Sequence, residues 1–497
     1  MNKQRSILFV SLLLCVMVRG WVWYASNTTL EDALITFRYV DNIVAGEGFV
    51  FNKGEHVLGT TTPLWTLFLS ATTWLGGNVI VASKVLGIIL DSATLLLMFS
   101  ILVPFSAVAF MFFAALFVSS PFIAPIAVSG METSLVLFAM TLAYFGFMRK
   151  NIWLAIGIAV LILTRIDGGI FSGILCVFSF FKDKKWTAHQ ILIAILLILP
   201  WFVSSQIYFG SVVPQSALAK TSIYNFDFIT TIQPILAQFT PFTETTPLKI
   251  LAKSMLFGLI VFGSVLTFRK FREFLPLALF FIVYCLALGC SGVLIFRWYL
   301  VPAIFVSYIL IALGMSHLAG TIPRISSAQK NIVAPLAALT ILIVHTTLLQ
   351  ARIGSLTQLQ QFEVHVRKEI GIWLKENATK GSVVFLEPLG YIGYYAGTDL
   401  VIRDEIGLVA PQVLQYRLMG DGWYVPCLKA LRPNYIVQYA HAMKTNASEG
   451  TGQKLFSSAE DKQWFDQHFG EVKRFDARTD YPSLEEKEKQ YIIFSER

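Results

Sequence analysis

Long uninterrupted runs of apolar residues fill most of the first 350 positions, and short polar or charged segments separate them. Within the runs, apolar and polar residues do not alternate, so the pattern predicts helices rather than the strands of a membrane barrel. A helix needs roughly 20 apolar residues to cross a bilayer. The runs expected to form membrane helices are 7–24, 133–148, 151–164, 168–181, 187–207, 248–267, 274–290, 299–315 and 331–350.

The segment 63–118 holds three further apolar runs, divided near Gly76 and at Pro104. Basic clusters between the runs give the expected orientation, because lysine and arginine concentrate in cytoplasmic loops. These clusters are Lys3/Arg5, Arg149/Lys150, 182–185, 269–272 and Arg324/Lys330. With the clusters inside, the N-terminus is cytoplasmic and the tail from residue 351 is extracytoplasmic. Two of the three runs then cross fully, and we expect about eleven crossings in all.

The composition changes near residue 356 to that of a water-exposed domain. The chain is therefore divided into a transmembrane module, 1–355, with its first external loop at 25–62, and an extracytoplasmic domain, 356–497. A charged amphipathic helix is expected over about 358–377. Short β-branched and aromatic runs predict strands, with helical stretches between them, at 383–386, 400–402, 435–437 and 491–494. The tail is accordingly predicted to be a small α/β domain.

Composition supports a membrane protein, since 55% of residues are hydrophobic and 14% are charged, against about 45–50% and about 25% in soluble domains. The net charge of +8 comes largely from the basic clusters between apolar runs, which favours a lipid bilayer over nucleic acid as the partner. The five cysteines show neither a disulfide framework nor the spacing of a metal site. A location in a lipid membrane is therefore expected.

An acidic pair, Glu31 and Asp32, follows the first apolar run on the expected outer face. A carboxylate there can act as general base on an acceptor hydroxyl while cations hold a leaving phosphate. The structural alternative is that Asp32 caps a helix beginning at Ala33. Arg38 either binds a phosphate or extends toward lipid headgroups. Spacing alone leaves these alternatives open.

Two further residues lie where apolar runs begin. Trp65 follows a proline that suits the first turn of a helix, and it either anchors at the interface or stacks on a sugar. Glu132 lies where a helix re-enters the membrane, a depth at which an ionisable residue is a functional candidate. An acid in the first turn of a helix is its structural alternative.

Three cations complete the candidates on the expected outer face. Arg165 either pairs with Asp167 or faces a lipid phosphate, and the pair is favoured because buried charges need partners. Lys220, in the loop after residue 207, either contacts a phosphate or is solvated. Arg297 lies in an aromatic segment, Phe296-Arg297-Trp298-Tyr299, which is typical of a membrane interface.

The motifs of the first external loop are similar to those of a known family. After Glu31-Asp32 come Phe37-Arg38-Tyr39, Gly46-Glu47-Gly48, Phe51-Asn52-Lys53-Gly54-Glu55 and Thr61-Thr62-Pro63-Leu64-Trp65. This series resembles the GT-C superfamily of membrane glycosyltransferases, and more narrowly the bacterial AftB-like (arabinofuranosyltransferase-like) group. The family usually has two aspartates where this chain has Glu31-Asp32.

Weaker motifs continue the resemblance, in the family's order, as far as about residue 440. Val213 to Lys220 resembles a Pro-Asn-Thr-x-x-x-Lys loop, with Gln215-Ser216 replacing Asn-Thr, and this departure weakens the assignment of Lys220. The other similar segments are Gly130-Met131-Glu132-Thr133, Thr164-Arg165-Ile166-Asp167-Gly168 and 390–411.

The resemblance implies transfer of a sugar from a polyprenyl-phosphate donor to a glycan, lipid or protein acceptor of the cell envelope, by inverting displacement on the outer face. In the family's pattern Asp32 is the base, and Glu31 or Glu132 assists it. The expected donor-phosphate ligands are Arg38, Arg165, Lys220 and Arg297, with Tyr39 and Trp65 as further substrate-binding candidates. No cofactor is expected and no residue pattern calls for a divalent metal. The sugar itself is left open.

Two other classes of protein compete with this hypothesis. A transporter or flippase of polyprenyl-linked glycans would also have many helices and outward cations, although paired repeats and broken midplane helices are not evident. An envelope scaffold whose external domain binds a partner would need none of the loop acids. A glycosyltransferase is the favoured prediction.

Overall fold

The computed structural model describes residues 3–321, 327–448, 451–477, 480–481, 485 and 489–497. Arg324 lies outside the described residues, as do the side chains of Lys3 and Lys330. The chain separates into two compact units. The helical unit comprises Met1–Ser26, Ser83–Trp201 and Phe226–Ile353, and the mixed unit comprises Asn27–Ala82, Phe202–Asn225 and Gly354–Arg497.

Helices form most of the chain. In order, the first are α1 (Lys3–Ser26), α2 (Glu31–Val44), α3 (Pro63–Trp74), α4 (Val79–Leu102), α5 (Ala107–Val118), α6 (Ile123–Ala127), α7 (Thr133–Arg149), α8 (Trp153–Thr164), α9 (Gly168–Lys182), α10 (Lys184–Phe209), α11 (Gln215–Ile223) and α12 (Phe228–Phe239). They are followed by α13 (Pro247–Arg269), a 3₁₀ turn (Arg272–Phe274), α14 (Leu275–Gly289), α15 (Arg297–Thr321) and α16 (Ser327–Phe362).

The C-terminal part alternates helices and strands. A π-helical turn (Glu363–Arg367) leads into α17 (Lys368–Asn377). The remaining helices are α18 (Gly390–Tyr395), α19 (Pro411–Arg417), α20 (Tyr424–Leu431), α21 (Ala440–Thr445) and α22 (Ala459–His468). The strands are β1 (Val383–Leu386), β2 (Val401–Asp404), β3 (Tyr435–Tyr439), β4 (Phe469–Asp476) and β5 (Gln490–Glu496).

Seven helices of the described chain are long and apolar enough to cross a membrane. They are Gln4–Ser26, Val79–Leu102, Lys184–Phe209, Pro247–Arg269, Arg272–Gly289, Arg297–Thr321 and Ile332–Asn377. The chain is thus a multi-span α-helical membrane protein, which confirms the predicted fold class. Shorter apolar helices occupy the other predicted runs, so the total of about eleven crossings stays a prediction.

Two short helices differ from the expected pattern. Helix α3, at the start of the ambiguous segment 63–118, has 12 residues, too few for a full crossing at 1.5 Å per residue. Helix α12 was not anticipated, because its 12 residues contain Pro234 and lie in a stretch assigned to an external loop. Length and internal proline hide such helices from a search for long apolar runs.

Close helix packing in the helical unit depends on small residues. Helices α7 and α8 are antiparallel neighbours, and at Gly146 and Gly157 an added Cβ would overlap the backbone of the facing helix. A fully buried pair also joins α1 to α4, where the Arg19 guanidinium lies 2.9 Å from the Asp91 carboxylate. Arg19 donates further hydrogen bonds to the carbonyls of Phe117 and Val118. These contacts satisfy a charge that would be costly alone in a membrane helix.

The mixed unit contains a five-stranded sheet in the order β2-β1-β3-β5-β4. Strands β2, β1 and β3 are parallel, whereas β5 pairs antiparallel with both β3 and β4. The predicted small α/β domain is therefore present. Strand β4 was not predicted, because its half-exposed sequence Phe-Gly-Glu-Val-Lys-Arg-Phe-Asp lacks a clear apolar alternation.

The first external loop belongs to the same compact unit as this sheet, which corrects the division at residue 355. The side chain of Asn52 accepts a hydrogen bond from the Ile402 N–H at 2.9 Å and donates one to the Ile402 carbonyl at 2.9 Å. Arg403 forms a bidentate ion pair with Glu55. These contacts join residues about 350 positions apart. The amino-acid composition does not predict them, because it changes only near residue 356.

Candidate functional site

The acidic pair lies in the first turn of α2. The N-cap is Leu30, in extended conformation and without a side-chain capping bond, and the helix begins at Glu31. The alternative in which Asp32 caps a helix beginning at Ala33 is therefore wrong. Neighbouring positions on a helix point about 100° apart, so the two carboxylates have different surroundings.

Glu31 is bound to the backbone at the start of α18. Its carboxylate accepts a short hydrogen bond from the Gly390 N–H and another, at 3.2 Å, from the Tyr391 N–H. The Arg367 guanidinium lies 3.9 Å away. Burial raises the pKa of the Glu31 carboxyl above its ordinary value, although Arg367 and the two amides oppose this effect. Glu31 therefore fixes the start of α2 against the loop after β1.

Asp32 has a looser environment. Its Oδ2 lies 3.8 Å from the Nζ of Lys220, and the two side chains are 30% and 23% exposed. That distance is longer than a charged hydrogen bond, so the Asp32 carboxylate can turn toward a ligand without losing a strong contact to Lys220. The structure thus brings together two residues that lie far apart in the sequence.

Helix α11 holds Lys220 through its first residue. The Gln215 N–H donates to the Leu58 carbonyl at 2.7 Å, and the Gln215 side chain donates to the Gly407 carbonyl at 3.0 Å. Gln215 was the departure from the family pattern that weakened the assignment of Lys220. In this chain the longer amide provides the anchor that positions α11.

Carboxylates missed by sequence reasoning lie where the parallel strands end. Glu387 follows β1, Asp404 is the last residue of β2, and Glu405 comes next. Polar residues immediately after buried parallel strands were the available signal, since such strand ends collect at one edge of a sheet. Tyr224, just after α11, is close enough to Glu387 that burial, followed by this carboxyl, raises its pKa to about 12.

Three of the predicted substrate-binding residues have structural contacts instead. Arg38 is 1% exposed and donates to the carbonyls of Phe51, Gly393, Gly397 and Leu400. Tyr39 is buried, and its hydroxyl donates to the Val57 carbonyl at 2.7 Å and accepts from the Gly59 N–H at 2.8 Å. Trp65 is 1% exposed. Buried groups with satisfied hydrogen bonds are poorly placed to receive a ligand, so we assign these three to the fold.

In the helical unit, Arg165 pairs with Asp167 as the sequence favoured. Two nitrogens of the guanidinium donate to the two carboxylate oxygens at 3.0 and 2.6 Å. The Tyr284 hydroxyl also donates to Asp167, at 2.7 Å. Glu132, which is the N-cap residue of α7 without a side-chain capping bond, lies 3.7 Å from Arg165. These residues form a buried polar cluster, here called the Arg165 cluster.

Arg297 begins α15 and has an exposed side chain. Its charge repels that of Arg352 in α16. Within the described parts of the chain neither side chain has an ion pair or a hydrogen bond. Two neighbouring cations without acids suit an anion, and the phosphate-binding role of Arg297 stays a prediction. Sequence reasoning missed Arg352 because it follows an apolar run.

No group of three or more His, Cys, Asp or Glu side chains that could hold a metal is found among the described residues. Asp404 and Glu405, at the end of β2, instead bind backbone amides, the Gln438 amide and the Arg417 guanidinium. Metal dependence is left to experiment.

The fold is that of the GT-C membrane glycosyltransferases, in which a bundle of membrane helices is combined with an external domain. Among solved structures, ArnT from Cupriavidus metallidurans bound to undecaprenyl phosphate matches with a TM-score of 0.62 over 98% of this chain and 97% of that chain, at 11% identity. The arabinofuranosyltransferase AftD from mycobacteria matches with a TM-score of 0.53, covering 99% of this chain and 40% of that chain at 14% identity. At these identities the matches show the fold alone.

Similarity in sequence points the same way. The terminal beta-(1->2)-arabinofuranosyltransferase of Mycobacterium tuberculosis (strain ATCC 25618 / H37Rv) is 25% identical over 250 residues, which cover 44% of this chain and 38% of that protein. The family model "Domain of unknown function (DUF8728)" matches residues 354–493. The resemblance to GT-C, AftB-like proteins is confirmed. Because this chain spans well under half of that relative, its reaction is a proposal.

Proposed function

We propose that this protein transfers a sugar from a polyprenyl-phosphate donor to a cell-envelope acceptor on the outer face of the bacterial plasma membrane. The similarity to an arabinofuranosyltransferase and the fold shared with an undecaprenyl-phosphate-bound protein support the reaction class. The sugar and the acceptor are left open, and arabinofuranose is the first donor to test.

The proposed reaction is a single displacement at the anomeric carbon. An acceptor hydroxyl oxygen forms the new bond to that carbon while the bond from the carbon to the phosphate oxygen breaks. The hydroxyl proton moves to Asp32, and the electron pair of the broken bond leaves with polyprenyl phosphate. One displacement inverts the configuration of the sugar.

The loose pair between Asp32 and Lys220 is the observation that carries this proposal. A general base must reach the proton that it removes, and the partly exposed Asp32 carboxylate has no close hydrogen bond among the residues that the structure describes. An ammonium group 3.8 Å away is placed to stabilise negative charge on a departing phosphate. Glu31 contributes by fixing the helix turn on which Asp32 lies.

The test uses purified protein in lipid nanodiscs with radiolabelled decaprenyl-phosphoryl arabinofuranose and a panel of envelope acceptors. Replacement of Asp32 by Asn keeps the size of the side chain but removes the base, so turnover of the donor should fall about 10³-fold, within the range for a general base. Product configuration is read by NMR.

Glu47 provides a matched control. It is 39% exposed and lies 3.3 Å from Lys53, in the same unit as Asp32 and in a similar pair. Glu47→Gln should keep turnover within about twofold, since surface pairs contribute little. Normal turnover by Asp32→Asn contradicts the assigned base. Movement of the labelled lipid between leaflets without transfer indicates a transporter, and a protein active in neither assay indicates a scaffold.

A further inference from the structure

Helices α1, α5 and α16 of the helical unit enclose an apolar groove of about 340 Å³. Cavities that hold small ligands have volumes of roughly 300–1,000 Å³. On each helix the lining positions follow the spacing i, i+3, i+4, i+7, which places them on one face. On α5 they are Met111, Ala114, Ala115 and Val118, and the same spacing begins at Ile7 on α1 and at Pro335 on α16.

The groove exists because the side chains at its floor are small. Ala114, Ala115 and Ala338 are buried, whereas Val10 and Leu339 at the rims are each 51% exposed. Short side chains between longer ones leave space that the three helices do not fill themselves. The rims face the surroundings of the helical unit, so a ligand can enter from the side.

The lining of the groove is apolar apart from two serines. One of them, Ser11, donates its hydroxyl to the Ile7 carbonyl of its own helix at 2.8 Å. Helices α1 and α16 are both long and apolar enough to cross a membrane, so the medium beside the groove is the hydrocarbon of the bilayer. A lipid chain is the ligand that matches this lining.

The groove lies along the half of α1 that is farther from the acidic pair. It extends from Ser6 to Leu14, and at 1.5 Å per residue Leu14 is about 18 Å from Ser26 along the helix. Glu31 and Asp32 follow Ser26 in the chain. The mouth of the groove is therefore at the end of α1 opposite to the one that leads to the proposed reaction centre.

The charge at this mouth is positive. Arg5 is exposed and directly precedes the first lining residue, Ser6. The sequences of α1, α5 and α16 contain no Asp or Glu. Basic residues beside membrane helices attract anionic lipid headgroups. They also orient the helices in the membrane, but orientation does not require a groove beside them.

We propose that this groove binds one acyl chain of a phospholipid whose anionic headgroup lies at Arg5. The apolar lining recognises the chain and the positive mouth recognises the headgroup. The position of the mouth favours a phospholipid over the polyprenyl donor, because the proposed reaction places the donor phosphate at Lys220. The lipid site is thus separate from the proposed chemistry.

Photolabelling locates the lipid directly. The full-length protein is placed in nanodiscs of dioleoyl phosphatidylcholine that contain a little phosphatidylglycerol with a diazirine on one acyl chain. After illumination, labelled peptides are identified by mass spectrometry. Label should concentrate on 6–14, 111–118 and 335–342, and unlabelled phosphatidylglycerol should displace it. Label spread evenly over the membrane helices, or equal displacement by added phosphatidylcholine, would overturn the proposal.

Two variants test the two halves of the site by native mass spectrometry with dioleoyl phosphatidylglycerol. Ala338→Leu fills the floor and should weaken binding at least about tenfold, the effect of losing two buried methylene contacts. Ala252→Leu, at an exposed position of α13, is the control for added bulk and should bind as wild type does. Arg5→Gln should weaken binding about fivefold, as expected for one basic residue near an anionic headgroup.

Arg5 is exposed, so the result for Arg5→Gln does not depend on the folding of Ala338→Leu. Unchanged binding in Arg5→Gln contradicts the headgroup assignment, and unchanged binding in a folded Ala338→Leu contradicts the groove.

Other occupants give distinct results in the same experiments. Stronger displacement of the label by decaprenyl phosphate than by phosphatidylglycerol would assign the groove to the donor and overturn the proposal. A dimer in the native mass spectrum that Ala338→Leu dissociates would make the groove an interface between copies of the chain. Because no sugar donor is present, failure of the proposed reaction would leave these results unchanged.

Discussion

In the helical unit Arg165 is bound tightly by acids, whereas in the mixed unit Lys220 and Asp32 are held loosely. Arg165 is 5% exposed and makes two hydrogen bonds, at 3.0 and 2.6 Å, to Asp167. Lys220 and Asp32 are 3.8 Å apart, and roughly a quarter of each side chain is exposed. Arg165 and Asp167 are two positions apart in one motif, whereas Asp32 and Lys220 come from distant segments of the chain.

The difference concerns what each pair can still do. Arg165 donates two parallel hydrogen bonds to Asp167, which also accepts one from the Tyr284 hydroxyl. A ligand would have to displace these hydrogen bonds in order to bind the pair. Such pairs satisfy a buried charge and fix helix ends. The longer distance between Asp32 and Lys220 leaves the Asp32 carboxylate able to turn toward a ligand, as removal of a proton requires. We therefore assign the Arg165 cluster to stability and the Asp32–Lys220 pair to chemistry.

The largest effect on stability is expected from breaking the Arg165 cluster. Arg165→Met removes the cation and leaves the Asp167 carboxylate without its ion pair, which typically costs about 3–5 kcal/mol. The free energy of unfolding in mixed detergent and SDS measures this loss. The double variant Arg165→Met/Asp167→Asn should be clearly more stable than the single variant, because it leaves one fewer unpaired charge.

If Arg165→Met keeps its free energy of unfolding but no longer binds the donor, the assignment of the Arg165 cluster to stability is wrong. Arg165 would then act on the substrate, as the family resemblance had implied, and its ion pair would be secondary. Lys150→Met is the control, since its Nζ is 3.8 Å from Asp183 and its side chain is 55% exposed. Such an exposed pair should contribute less than about 1 kcal/mol.

Much of the fold was predictable because its signals are local. Apolar runs gave the helices from 133 to 290 closely, whereas α15 and α16 extend beyond their predicted runs to Thr321 and Phe362, and β-branched runs gave β1, β2, β3 and β5. Helix α12 was missed because it is short and contains Pro234, and strand β4 was missed because its sequence lacks a clear apolar alternation. Such elements are stabilised by tertiary contacts, and a segment of about ten residues does not reveal those contacts.

For the candidate site, the sequence identified residues of the right chemical type, but it could not show which partners their side chains contact. The sequence singled out both Arg38 and Lys220 as cations in family motifs, with Lys220 the weaker assignment because of Gln215-Ser216. Only the structure shows that Arg38 donates to the carbonyls of Gly397 and Leu400, more than 350 positions away, whereas Lys220 lies beside Asp32. Glu387 was missed because its position at the edge where the parallel strands end depends on the strand order, with β1 between β2 and β3.

A smaller effect is expected at Glu31, the acid beside the proposed base. Glu31→Ala leaves the buried N–H groups of Gly390 and Tyr391 without their acceptor, at a cost of about 1–3 kcal/mol in unfolding free energy. Because Asp32 would lose its fixed position, kcat should also fall. Glu31→Gln retains an acceptor oxygen and should restore most of both. A Gln variant as inactive as Asp32→Asn would make Glu31 a second catalytic acid.

Lys220 should affect the donor more than the fold. Lys220→Met removes one charged contact to the phosphate, so donor KM should rise about tenfold, or about 1.4 kcal/mol, without a change in unfolding free energy. Lys220→Arg should recover part of the loss. Lys53→Met, at a lysine that is 37% exposed and paired with Asp399 at 3.0 Å, is the control. If the donor KM of Lys220→Met is unchanged, Lys220 does not bind the donor phosphate.

The smallest effect is a pH dependence that distinguishes Glu31 from an ordinary paired acid. Its pKa is raised in the folded protein, so above the ordinary value of about 4.3 the folded state binds more protons than the unfolded state. Stability from this group is present at low pH and is lost as pH rises through the folded pKa. The unfolding free energy of wild type minus that of Glu31→Gln should therefore decrease from pH 4 to pH 8. A difference that grows with pH would mean that Arg367 and the two amides outweigh burial, and that the anchor beside Asp32 is an ionised carboxylate.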